Sequence, residues 1–199
     1  MTSFCAQCTV HACKKKEGYP SSCVSLSEPV KAAEAQYADE QTRILAEASG
    51  KTALAGGMTR IEETMDYCRR CGFHHLGLAF CSLLWQEAKK IDEIFRYNGF
   101  ETESVICKVG GLSKEVVGLT DNGSAMCNPI AQAQLLNSLH TDINILVGLC
   151  VGHDSLFIKY SEAPVTVLAV KDKILGHNPL GVLPIAESGN YKNKLFPPK

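Results

Sequence analysis

The chain has almost no net charge: 20 Lys and Arg stand against 21 Asp and Glu, for a formal value of −1. That gives no broad electrostatic pull toward nucleic acid or acidic lipid, so neither is an expected partner. No apolar run approaches the roughly 18 to 20 residues needed to cross a bilayer. Residues 1–13 lack the apolar core of a signal peptide, and the lysines come after it. The expected location is therefore the cytoplasm, with no membrane partner. There is also no internal repeat, no low-complexity segment, no phosphate-loop signature and no complete GxGxxG. Nucleotide binding of the familiar kinds has no motif to rest on.

What is present is cysteine, ten in 199 residues, in a chain that is 45% apolar and so able to bury a core. In a reducing compartment disulfides are not the default use of such a set, which leaves metal ligation or thiol chemistry.

The order of patterns predicts an α/β fold. Residues 1–26 form a cysteine-rich segment of their own, with too little apolar mass to fold without a staple. Residues 27–199 read as an α/β domain, with 27–72 as a helical lead-in and 73–199 as the sheet. Pro29 opens a helix over Val30 to Ser49 that Gly50 should stop. Thr59 and Glu62 match a capping box for a second helix that ends at Gly72. Strands are expected at Leu76–Cys81, Glu103–Val109, Ile143–Cys150 and Val165–Val170. Helices follow at Leu83–Tyr97, from Asn128-Pro129 to near Leu139, and at Ser155–Tyr160. Residues 112–127 read as an irregular excursion and the tail from Ile174 as a surface wrap. Four strand–helix alternations imply a parallel sheet of about four strands with helices on both faces.

The amino-terminal pattern is Cys5-x2-Cys8-x4-Cys13-x9-Cys23. Four thiolates at such spacing can close a tetrahedron around zinc. They could equally hold an iron–sulfur cluster, although the spacing is not the ferredoxin run.

The knuckle, the segment Gly148-Leu149-Cys150-Val151-Gly152-His153-Asp154-Ser155, and the later Lys171-Asp172-Lys173 and Gly176-His177-Asn178-Pro179 carry a resemblance. Over essentially its whole length the chain resembles a family of uncharacterised metal-binding proteins, a domain of unknown function found largely in anaerobic bacteria and archaea. The resemblance implies metal ligation by Cys5, Cys8, Cys13 and Cys23. It implies no particular reaction.

In the body, Cys81, Cys107 and Cys150 each fall at the carboxyl end of a predicted strand, and Cys127 immediately precedes a helix. Carboxyl ends of parallel strands share one edge, where α/β sheets bind ligands, so the four thiols could converge on one crevice. Cys150-x2-His153 has ligand spacing, and a helix start beside it would lower the thiol pKa. Cys150, His153 and Asp154 are accordingly the candidate catalytic set. Cys81, Cys107, Cys127 and His177 are candidate cofactor contacts. Cys68-x2-Cys71 lies inside a helix whose apolar stripe includes Ile61 and Met65, which favours packing.

Two functions fit. One is a metal-binding protein, with zinc or an iron–sulfur cluster in the knuckle and a crevice for a small-molecule ligand or redox partner. The other is a thiol- or metal-dependent enzyme using Cys150 and His153.

Overall fold

The computed structural model describes residues 5–198. The chain divides into two compact units, Met1–Gly57 and Met58–Lys199. Among the described residues no helix is long and apolar enough to cross a membrane.

In the first unit, short 3-10 turns at Cys5–Gln7, Ala12–Lys14 and Val24–Leu26 contain Cys5 and Cys13 and adjoin Cys8 and Cys23. Helix α1 (Glu28–Glu34) starts with Pro29 in its first turn. A 3-10 turn over Ala35–Ala38 follows, and α2 runs Glu40–Ala55. The sequence suggests one helix here, whereas the structure has two, because Asp39 takes an extended conformation and its carboxylate accepts the Thr42 amide at 2.8 Å. A short acceptor that can cap a new helix interrupts the old one. Gly50 does not stop α2. A lone glycine costs only about 1 kcal/mol, and the Lys51–Ala55 stretch that follows is otherwise helix-forming.

In the second unit, α3 (Arg60–Cys71) opens with both halves of the capping box: Glu62 donates its amide to Thr59 Oγ1, and its carboxylate accepts the Thr59 amide at 2.7 Å. Strand β1 (His75–Phe80), α4 (Trp85–Tyr97), β2 (Glu101–Ile106), α5 (Pro129–Ser138), β3 (Ile143–Val147), α6 (His153–Tyr160) and β4 (Val165–Ala169) complete the body, with α7 (Gly189–Leu195) in the tail. The sheet has four strands in the order β2-β1-β3-β4, and every pair is parallel.

Alternation along β1 and β3 divides the core in two. Leu76, Leu78, Ile143 and Ile145 pack with Met65 and Cys68 of α3 and Phe95 of α4. Ala79 and Leu146 pack on the other face with Ala133 and Leu136 of α5 and Phe157 of α6. Polar side chains sit among them too. Asn144 is fully buried, accepts the Thr141 hydroxyl at 2.8 Å and donates to Ser161 Oγ at 2.8 Å. Its oxygen lies where a side chain on Gly77 would begin, 2.0 Å from an ideal Cβ. Glycine opposite asparagine is thus a steric pair within the two central strands.

Two features shape the carboxyl edge. Strand β3 ends at Val147 rather than at Cys150, since Gly148 turns left-handed at φ +63° and donates to the Ala169 carbonyl at 2.7 Å. The excursion between β2 and α5 closes on itself: Met126 donates to Leu112 at 2.8 Å and Asn128 to Cys107 at 2.7 Å. Within it stand two 3-10 turns, Val109–Gly111 and Lys114–Val117.

Candidate functional site

A closed loop base brings Cys107 and Cys127 together. Cys107 follows β2, Cys127 precedes α5, and the backbone bond from Asn128 to Cys107 holds the two chain segments side by side. The Cys127 thiol donates to the Cys107 sulfur at 3.6 Å. The Cys107 sulfur also accepts the Ser82 amide at 3.3 Å, from the 3-10 turn that follows β1.

Cys81 sits at the start of that turn. Its sulfur accepts from Lys171 Nζ at 2.9 Å, and Lys171 lies just past the end of β4. Burial pushes the Cys81 thiol up. The Lys171 hydrogen bond, the Leu83 amide, the ammonium charge and a bond with Cys107 outweigh that and hold the thiol below its ordinary value. Cys127 moves the other way. Burial, then the hydrogen bond and charge of Cys107, then the charge of Cys150, push it up to about 11 against the opposing pull of Lys108. Cys150 thus belongs to the same electrostatic group.

The four cysteines thus follow one another along the carboxyl edge, just past β1, just past β2, before α5 and after β3, with Cys107 in contact with Cys127 and bonded to Cys81, and Cys150 acting on Cys127 through its charge. Cys81 and Cys107 are buried, whereas Cys127 and Cys150 are half-buried. No disulfide joins any of the ten cysteines. Among the described residues no three His, Cys, Asp or Glu side chains stand close enough together to hold a metal ion.

Gln132 of α5 braces this edge from beneath. It is fully buried, and its amide nitrogen donates to the Val105 carbonyl at 2.7 Å and reaches Phe80 at 3.4 Å. These are backbone groups within two residues of Cys107 and Cys81. Its Oε1 has no partner among the described residues.

The other candidates lie elsewhere or have structural partners. Asp154 lies in the first turn of α6, where its carboxylate accepts the Gly152 amide at 3.1 Å and the Ser155 amide at 2.8 Å. The His153 and Asp154 amides both donate to the Cys150 carbonyl, so the three residues form one helix entry. His177 closes a loop with Asp172: its Nδ1 accepts the Asp172 amide at 3.1 Å and its own amide donates to the Asp172 carbonyl at 2.8 Å. His75 faces Glu103 at 3.8 Å from the amino end of β1, the edge opposite the thiols. Cys68 is in the core, and burial together with Cys71 pushes it up to about 12, which makes it inert at neutral pH.

The amino-terminal cysteines belong to the first unit. Cys5 and Cys13 are exposed, and Cys8 and Cys23 half-buried. The Cys8 amide donates to the Cys5 carbonyl at 3.2 Å, which folds the Cys-x2-Cys segment into a turn. Ser25 bonds hold the Cys23 thiol below its ordinary value.

Lys171 and the Ser82 and Leu83 amides are the contributors that residue spacing did not single out. Lys171 could have been found by extending to charged residues the edge rule used for the cysteines.

Residues 22–168 match the model of a family described as "Protein of unknown function (DUF1847)". That span takes in Cys23 and all four strand-edge cysteines. The uncharacterized protein MJ0455 of Methanocaldococcus jannaschii is 43% identical over 154 residues, covering 74% of this chain and 79% of that protein. No solved structure matches.

Proposed function

Given that the chain belongs to the DUF1847 family of proteins of unknown function, we propose that it is a metal-binding protein whose body site forms when Cys81 and Cys150 draw in to join the Cys107–Cys127 pair around an ion. The carrying observation is the 3.6 Å separation of the Cys107 and Cys127 sulfurs. An ion bonded to thiolates at about 2.3 Å in a tetrahedron sets its sulfurs roughly 3.8 Å apart. Two of the four sulfurs already receive N–H donors from the polypeptide, the kind of outer support that ligating groups require. Lys171 offsets part of the negative charge that a set of thiolates carries. The donor set suits zinc, or iron held by sulfur, and would keep such an ion in a closed, structural or electron-carrying site.

Cys5, Cys8, Cys13 and Cys23 make a second site in the first unit, for zinc or an iron–sulfur cluster. The turn joining Cys5 to Cys8 supports this reading. Bound metal would act there as the staple that a polar segment of this length needs.

A second reading is thiol chemistry. It is favoured by the Lys171 contact, which keeps the Cys81 sulfur more nucleophilic at neutral pH than a core cysteine. Cys150, with His153 beside it, supplies the more accessible thiol for such a reaction.

Metal analysis of anaerobically purified protein tests the proposal. Zinc or iron should be present, and a Cys107→Ser, Cys127→Ser variant should lose about one equivalent while keeping its fold. Absence of any thiophilic metal, with no uptake of added zinc by the reduced protein, would overturn it and leave the thiol reading.

A further inference from the structure

The opposite face of the sheet has a cavity of about 710 Å³ that the thiol site does not use. It lies against the carboxyl ends of β3 and β4, where parallel sheets receive ligands. Ile61, Leu84, Ile91, Val147 and Leu168 make its body, and its volume is within the range of small-molecule sites.

Its polar lining carries charge of both signs. Arg60 and Lys90 stand with Glu87 in the wall, and Lys90 is paired with Glu93 just outside it. Arg60 is fixed in place: its Nη2 donates to Thr166 Oγ1 at 3.0 Å and reaches the Val167 carbonyl at 3.5 Å, while Nη1 stands 3.7 Å from Glu63. His177 adds a third donor. Its Nδ1 accepts the Asp172 amide, so the neutral ring carries its proton on Nε2. The backbone there is left-handed at φ +66°, a conformation that a non-glycine residue keeps only when its surroundings demand it. Leu84 is held against the sheet by the absence of a side chain at Gly148, whose Cβ would fall 2.2 Å from it.

We infer that this cavity binds a small amphiphile: an apolar chain ending in a carboxylate, with the chain over Leu84, Ile91 and Leu168 and the carboxylate at Arg60, Lys90 and His177. An apolar body with a few convergent polar groups is the usual make-up of a ligand pocket. Guanidinium is the group best matched to carboxylate. An amine would meet the fixed Arg60 guanidinium as a like charge, and an alcohol would gain no charge-assisted bond from it. This assignment does not depend on metal at the thiols.

Trp85 supplies the readout. It is the one tryptophan, it is 55% exposed, and it lies between Leu84 and Gln86 of the cavity wall. Decanoate, decanol and decylammonium, each below its micelle threshold, are titrated into the full protein by tryptophan fluorescence and calorimetry. Decanoate should saturate at one per chain and bind at least tenfold more tightly than decanol, and decylammonium should not bind. Arg60→Gln should bring decanoate down to the affinity of decanol, with unchanged circular dichroism. Equal binding of all three probes, no saturable binding of decanoate, or decanoate affinity unaltered in R60Q would each overturn the assignment. Should R60Q fail to fold, H177Q is the second variant: weaker decanoate binding with decanol unaffected supports the assignment, and no change in either contradicts it.

Discussion

Lys171 donates to the Cys81 sulfur across 2.9 Å, joining the loop after one edge strand to the end of a central strand. The contact lies at the carboxyl edge of the sheet. It helps to hold the thiol of a buried cysteine below its ordinary pKa, against the upward push of burial. Cys127 is pushed the opposite way by the same cluster. One edge therefore contains thiols of two kinds, one held below its ordinary pKa and one pushed above it.

Replacing Lys171 by Met should raise the Cys81 pKa in the metal-free protein, because the donor goes and the burial remains. Thiolate absorbance against pH, with Cys81→Ser as reference, measures this. The sign for stability follows from the lowered folded value. The Cys81 contribution is fully present above the ordinary value of 9.0 and is lost as pH falls through the folded pKa. Cys127, raised to about 11, contributes below 9.0 and loses that contribution as pH climbs through about 11. K171M should thus flatten the acid-side slope attributable to Cys81 and leave the alkaline side little changed. Identical thiolate titrations in K171M and the parent would contradict the assigned role.

Gly77→Ala should be among the most damaging single-atom additions in the body. The new Cβ would lie 2.0 Å from Asn144 Oδ1. Asn144 would have to leave Thr141 or Ser161, stranding buried polar atoms. A loss of about 2–4 kcal/mol is expected, read from the urea midpoint. A change under about 0.5 kcal/mol, the size usual for an unconstrained surface site, would mean the pair can move apart without cost.

Thr59→Ala removes the side-chain acceptor at the start of α3 and should cost about 1 kcal/mol. Thr59→Ser should restore nearly all of it. Equal stability of the alanine and serine variants would show that the cap contributes little.

Much of this body was legible in the chain. Thr59 and Glu62 announce their helix by local hydrogen bonding, and Asn128-Pro129 does the same for α5. Such signals act within one helical turn, so they survive without tertiary context. Strands β1, β3 and β4 are legible as apolar runs, whereas β2 starts at Glu101 rather than Glu103 and ends at Ile106 rather than Val109, because its pairing with β1 enlists the polar Glu101 and Thr102. Misplaced boundaries have physical causes. Asp39 is an ordinary helix-surface residue until its carboxylate finds the Thr42 amide. Val147 hands over to a left-handed Gly148 that strand periodicity does not reveal. In the site, strand-end position pointed to Cys81, Cys107 and Cys150 as neighbours. Lys171 carries no such signal, because a lysine after a strand reads as a solvated charge, and its sulfur partner is 90 residues away.

Metal at the quartet is the central claim, and X-ray absorption tests it most directly. The protein carrying Cys5, Cys8, Cys13 and Cys23 all as Ser would be loaded with one equivalent of zinc under reducing conditions and freed of excess by gel filtration. The account predicts that zinc is retained, with four sulfur neighbours at about 2.3 Å. Zinc lost on the column, or retained in a shell of nitrogen and oxygen, would contradict it.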